Sequence, residues 1–231
     1  INLTKQLKNA VSDLGFVKQT PIQEQTFSKI LGGNDIVGIA QTGTGKTIAY
    51  SLPLLQELSY SDQKNPRILI LVPTRELVTQ VVETLESLTQ YLSCRIVGVY
   101  GGTNINTQKI KLQDGADIVV ATPGRLYDLA LCRALQLKGI RKLVIDEVDV
   151  MLDLGFRYQL INIFELLPGR RQNIMFSATM TEEVDELISS FFNRSQKVQI
   201  ALSGTPLDNI SQKKYSVPNY YTKVNLLVHL L

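Results

Sequence analysis

Two short stretches concentrate residues of the types that do chemistry. The first, AQTGTGKT at 40–47, sets Gly43 and Gly45 in front of Lys46 and Thr47. Glycines at that spacing let the backbone curl until several N–H groups point inward, and a helix starting near Lys46 adds the positive end of its dipole. This suits capture of a phosphate chain. The loop Gln41, Thr42, Gly43, Thr44 and Gly45 cradles it, Lys46 supplies a point charge for the outer phosphates, and Thr47 offers a hydroxyl to Mg2+. Ala40 stands where the general pattern has its first glycine. A ligand-free glycine turn is the plain alternative, and Lys-Thr directly after a strand argues against it. Kinases, transport ATPases and GTPases all stay open on this motif alone.

The second stretch, KLVIDEVDVM at 142–151, begins as a dry strand (Leu143, Val144, Ile145) and runs into Asp146, Glu147 and Asp149. In an open parallel sheet, ligands sit beyond the carboxyl ends of the strands. Asp146 is therefore placed to hold Mg2+, directly or through water, as the metal bridges the outer phosphates. Glu147 is placed to orient or deprotonate an attacking water, and Asp149 to accept hydrogen bonds from a neighbouring loop or another domain. A solvated turn with surplus acid is the competing account; the preceding strand and the phosphate loop weigh against it. The string DEVD also resembles an executioner-caspase cleavage signal, which a strand end inside a folded sheet would hide.

These residues need a frame, and the chain supplies one. Short apolar runs recur at 35–40, 68–72, 95–100, 117–121, 142–146, 173–178 and 197–201. They do not alternate, which marks strands of a parallel sheet covered on both faces. Between them lie helical patterns, such as the segment where Leu77, Val81, Leu85 and Leu88 recur at three- and four-residue steps. The expected fold is α/β, a doubly wound parallel sheet flanked by helices. Residues 1–34 read as mostly helical. After 201–209, where Gly204, Thr205, Pro206, Asp208 and Asn209 form a linker-like run, ISQKKYSVP reads as another strand and YYTKVNLLVHLL as a helix.

Composition sets outer bounds. The chain has 231 residues, is 44% hydrophobic, and carries a net charge of +3 with a pI of about 8.8. That permits a polyanionic partner without requiring one. Two cysteines, Cys94 and Cys132, and one histidine exclude most Cys/His zinc sites; both thiols read as core filler in a reducing compartment. No apolar run approaches the ~18 residues a membrane helix needs. Beginning at Ile1, the chain reads as an excised fragment of a cytoplasmic protein with no membrane partner.

The ordered motifs resemble those of the DEAD-box RNA helicases, over nearly the whole fragment. IDEVDVMLDLGF is similar to the motif that names the family, with Val148 in place of its alanine; GFVKQTPIQ (15–23) resembles the adenine-reading Q motif, and AQTGTGKT the phosphate loop. PTRELVTQ (73–80), GG (101–102) and TPGR (122–125) resemble RNA-contacting segments, and SAT (177–179) the coupling motif. The resemblance implies a RecA-like domain in which Gln23 grips the adenine edge, Phe16 packs on the ring and Thr20 belongs to the same site. It implies that Ser177 and Thr179 hydrogen-bond toward Asp149. It also implies that Pro73, Thr74, Arg75, Gly102, Thr122, Pro123, Gly124 and Arg125 line a groove for an RNA backbone. The bland roles for these last residues are caps and turns, with Thr122 before Pro123 opening a helix.

The resemblance assigns 1–204 to the first RecA-like domain and 205–231 to a linker and the truncated start of a second. Gln19 stands where the Q motif has proline. The family's later motifs, including an arginine that stabilises transition-state charge, are absent from these residues. ATP, Mg2+, RNA and the chain's own second domain are the implied partners. The fragment is expected to be monomeric, with the tail strand from Ile210 an unpaired edge on which copies can associate. The rival functions are another nucleic-acid-stimulated ATPase of the same superfamily and an ATP-dependent RNA clamp.

Overall fold

A computed structural model describes residues 2–200 and 213–230. Two helices lead in, α1 (Lys5–Asp13) and α2 (Pro21–Leu31). Strand and helix then alternate as β1 (Ile36–Ile39), α3 (Lys46–Glu57), β2 (Ile68–Leu71), α4 (Arg75–Thr89), β3 (Ile96–Val99), α5 (Ile105–Gln113), β4 (Ile118–Ala121) and α6 (Pro123–Leu131). A 3-10 turn at Leu137–Gly139 precedes β5 (Lys142–Ile145), α7 (Val148–Asp153), α8 (Arg157–Leu166), β6 (Gln172–Ser177), α9 (Glu182–Phe191) and β7 (Gln196–Gln199). The strands form one parallel sheet in the order β3-β4-β2-β5-β6-β1-β7.

The central strands are buried on both faces because their side chains feed two separate cores. Val37, Leu69, Leu71, Val119, Leu143 and Ile145 belong to one layer. Ile36, Ile68, Ile70, Val120, Val144 and Ile174 belong to the other. The two edge strands are less covered: Val99 alone is buried in β3 and Val198 alone in β7. Gly38 in β1 has a specific reason: a Cβ there would lie 2.4 Å from the ring of Phe176 in β6. That ring in turn packs against Tyr50 of α3, with centroids 5.8 Å apart, beneath the phosphate loop.

Register aligns the chemistry. The adjacent strands β5, β6 and β1 end in Ile145, Ser177 and Ile39, so Asp146, the SAT segment and the phosphate loop leave the sheet at one edge. Two backbone hydrogen bonds extend the ladder just past the strand ends: Ala40 N–H donates to Ser177 O at 3.0 Å, and Asp146 N–H to Leu71 O at 2.9 Å.

The tail departs from expectation. Residues 213–217 form no strand, and 210–212, with the linker run 201–209, lie outside the described residues. The helix is present as α10 (Tyr220–Leu230), capped by Asn219 Oδ1, which accepts from Thr222 N–H at 2.9 Å. None of its residues is buried; Tyr221 is 80% exposed. Cys132 is also exposed rather than core filler, while half-buried Cys94 has its thiol pushed up to about 12 by burial.

Candidate active site and nucleic-acid interface

The phosphate loop is built on two left-handed glycines. Gly43 has φ 78° and Gly45 φ 87°, conformations that favour a residue without Cβ. At Gly45 there is a second reason: a Cβ would come 2.6 Å from Gln23 Nε2. Thr44 Oγ1 donates to the Gln41 carbonyl at 2.8 Å, closing the turn, and α3 begins at Lys46. Lys46 is 6% exposed; its Nζ donates to Ala40 O at 3.2 Å and stands 3.9 Å from Asp146 Oδ1. A cleft of about 550 Å3 opens here, lined by Phe16, Thr20, Gln23, Thr42, Gly43, Gly45, Lys46, Thr47, Asp146 and Glu147. Lys18 and Gln80, which lie within the stretches 15–23 and 73–80 but were given no role there, line it as well, together with Thr84, which lies outside both.

Asp146 sits in tension. Burial raises its carboxyl, Lys46 pulls it down, and Glu147 raises it again, leaving it at about 6. Its Oδ1 has no hydrogen-bond partner. A buried carboxylate short of positive charge is the environment in which a divalent cation gains most. Behind it lies Tyr50, one turn after Lys46 and fully buried, its hydroxyl pushed well up by burial and then by Asp146. Glu147 occupies the left-handed region, φ 56° and ψ 49°, a conformation that costs a non-glycine residue about 1–2 kcal/mol. Such strain at a carboxylate beside a cleft accords with a functional constraint. Val148 is fully buried at the start of α7, so the DEVD string is folded away.

Gln23 is already engaged on the protein side. As the third residue of α2 its Oε1 accepts from Thr20 N–H at 3.0 Å, while Nε2 donates to Gly45 O at 3.2 Å. One N–H and one lone pair remain, enough for the bidentate pattern an adenine edge presents. Phe16 is 49% exposed at the cleft rim.

The coupling residues divide. Asp149 Oδ2 accepts from Ala178 N–H at 3.1 Å, Thr179 N–H at 2.9 Å and Thr179 Oγ1 at 2.9 Å, tying α7 to the end of β6. Ser177 departs from expectation: its Oγ is buried with no partner, and Asp149 Oδ1 is likewise buried without one.

The expected RNA residues gather on one face, in unequal exposure. Pro73, Thr122 and Pro123 are buried and shape backbone. Thr74 Oγ1 caps α4 by accepting from Leu77 N–H at 3.3 Å, whereas Thr122 opens α6 without a side-chain cap bond. Arg75 lies over the Tyr100 ring, 5.0 Å from its centroid, and Arg125 Nη2 donates to Thr103 O at 2.8 Å. Gly102 is left-handed at φ 77°, and Gly124 is half-exposed beside Phe156.

The order of these elements along one sheet edge matches a known family. A family model described as DEAD/DEAH box helicase fits residues 20–187. The chain belongs to the DEAD/DEAH box helicases. It is 39% identical over 218 residues to the ATP-dependent RNA helicase DeaD of Haemophilus influenzae, covering 94% of this chain and 35% of that protein. Against DeaD of Escherichia coli K12 the identity is 40%, with 94% and 34% covered. The chain thus spans about a third of the length of these curated relatives. Among solved structures, a DEAD box protein from Methanococcus jannaschii superposes with a TM-score of 0.82 at 34% identity, over 86% of this chain and 54% of that one. Among the described residues, no helix is long and apolar enough to cross a membrane.

Proposed function

We propose that this chain is the nucleotide-binding half of an ATP-dependent RNA helicase, holding Mg2+·ATP in the cleft and an RNA backbone on the adjoining face. The observation that carries this is the meeting of Lys46 Nζ and Asp146 Oδ1 at 3.9 Å in a cleft also lined by Gln23, Thr47 and Glu147. A phosphate loop and a strand-end acid at that separation suit a triphosphate and its metal.

The donor set fits Mg2+, which takes one or two carboxylates and completes its shell with phosphate oxygens and waters. Asp146 and the Thr47 hydroxyl would hold it. Bound there, it would neutralise charge on the outer phosphates and give the unpartnered Asp146 Oδ1 a partner. Lys46 and the loop N–H groups hold the phosphates. Glu147 accepts a proton from a water that attacks the γ-phosphorus as the bond to the ADP oxygen breaks. Hydroxyls, glycine-turn N–H groups and the forks of Arg75 and Arg125 read phosphate and 2′-OH rather than base identity. Asp149 and Thr179 join the nucleotide edge to the SAT segment, through which a second RecA-like domain senses occupancy.

Residues 213–230 are read as the opening of that second domain, whose arginine completes the site. Supplied groups of that kind are worth about 10³–10⁵ in rate, so this chain by itself turns over ATP barely or not at all. Turnover by the polypeptide carrying both domains tests the reading. RNA should stimulate it and DNA of the same sequence should not. Equal stimulation by DNA favours a different superfamily member, and brisk RNA-stimulated hydrolysis by the 231-residue chain alone contradicts the division of labour.

A further inference from the structure

The three segments expected to meet RNA are joined by a loop, Tyr100–Thr103, between β3 and α5. Gly101 and Gly102 at its tip are exposed, and nothing lies within 4 Å of where either Cβ would be, so their backbone is open to a ligand. Arg75 reaches the loop from the start of α4 and stacks on Tyr100. Arg125 reaches it from α6 and donates to the Thr103 carbonyl, while its Nη1 stays without a partner. Thr103 Oγ1 closes the loop on itself by donating to Tyr100 O at 3.4 Å, and a third side chain joins its two ends. Gln108, one turn into α5, spends its amide on the two ends of the loop. Oε1 accepts from Tyr100 N–H at 3.3 Å, and Nε2 donates to Tyr100 O at 2.9 Å and to Thr103 Oγ1 at 2.6 Å.

We infer that Gln108 is the positioning residue of the RNA groove, holding the Tyr100–Thr103 loop so that Gly101, Gly102, Arg75 and Arg125 face a single phosphate backbone. At 6% exposure it is screened from solvent and acts through the loop. Such bracing preorganises the groove. Two consecutive glycines are the costliest residues to order, and a ligand that had to order them would lose that much affinity. The side-chain amide meets this cost in advance, because it offers an acceptor and two donors in one plane, which neither a carboxylate nor an alkyl chain does. Tyr100, held at its backbone, and Thr103, held at its hydroxyl, then set where the two guanidinium groups rest.

This inference rests on the RNA-binding reading of the same face, and the experiment separates the two. The 231-residue chain is titrated with single-stranded oligouridylate at low salt, following amide resonances, for wild type, Gln108→Leu, Gln108→Glu and Arg125→Ala, with ATP affinity and thermal midpoint measured in parallel. Gln108→Leu removes all three bonds. Gln108→Glu retains the acceptor for Tyr100 N–H and loses both donors. RNA affinity should fall about tenfold in Gln108→Leu, the equivalent of one residue left to be ordered, and less in Gln108→Glu. ATP affinity should stay at the wild-type value in both, and Gly101 and Gly102 should be among the amides that RNA shifts. Equal RNA affinity for wild type and both Gln108 variants, with Arg125→Ala weakened, overturns the positioning role alone. No RNA-induced shift in wild type, matched by Arg125→Ala, overturns the RNA reading and this inference with it. A parallel loss of ATP affinity would show general loosening instead, and also counts against the inference. Should Gln108→Leu not fold, the Glu variant carries the comparison.

Discussion

Replacing Gln23 by alanine should have two separable effects, because its amide does two jobs. The bonds to Thr20 N–H and Gly45 O hold the start of α2 against the phosphate loop. Neutral hydrogen bonds of this kind contribute roughly 0.5–1.5 kcal/mol each, so Gln23→Ala should lower chain stability by about 1–3 kcal/mol. Loosening the loop weakens every nucleoside triphosphate alike, since the triphosphate is common to all. The remaining N–H and lone pair match the N7 acceptor and N6 donor of adenine and mismatch the O6 acceptor of guanine. A bidentate pair to a base edge discriminates by about 1–3 kcal/mol, so the ATP-to-GTP affinity ratio should drop by roughly 5- to 150-fold. Gln23→Glu retains the acceptor for Thr20 N–H but sets a carboxylate against the Gly45 carbonyl, and should destabilise more than alanine does. Urea denaturation gives the first quantity; displacement of a fluorescent ATP analogue by ATP and by GTP gives the second. A stability loss with an unchanged ratio would leave Gln23 as a brace only. No change in either would refute both assignments.

Other outcomes follow from the same geometry. Asp149→Ala strands three donors at the end of β6 and should cost about 2–4 kcal/mol by urea denaturation at neutral pH, while Asp149→Asn, which retains one acceptor oxygen, should cost less; a change within 0.5 kcal/mol for alanine would mean that the α7–β6 link carries no stability. At the far end of the sheet, burial opposes ionisation of Asp117, but hydrogen bonds from Arg95 and Arg67 outweigh it and hold the carboxyl below its ordinary value. A depressed carboxyl stabilises the fold above its unfolded-state value of 3.8 and loses that contribution as pH falls through the folded value. The thermal midpoint should therefore drop more steeply below pH 4 in wild type than in Asp117→Asn, and parallel pH profiles would contradict this.

Much of this architecture was readable because two-sided burial leaves a plain mark. Each of the apolar runs at 35–40, 68–72, 95–100, 117–121, 142–146, 173–178 and 197–201 contains or overlaps a strand, displaced by a residue or two at its ends. The strand reading failed at 213–217, which pair with no strand among the described residues; strand formation depends on such a neighbour more than on composition. The cleft was legible where glycine, lysine and acid follow one another in sequence. It was not legible at Tyr50, Thr84 and Gln108, whose roles come from contacts across the fold and leave no periodic trace. The partnerless Ser177 hydroxyl, too, depends on side-chain orientation at the end of β6, a matter of angstroms that spacing does not encode.

The central claim is that Lys46, Thr47 and Asp146 form one Mg2+·ATP site, and calorimetric titration of this chain tests it most directly. The account predicts one-to-one binding of ATP that tightens with Mg2+, loses that Mg2+ response in Asp146→Ala, and disappears in Lys46→Ala while the thermal midpoint shows the variants folded. ATP binding by folded Lys46→Ala at wild-type affinity, or a wild-type response indifferent to Mg2+, would contradict it.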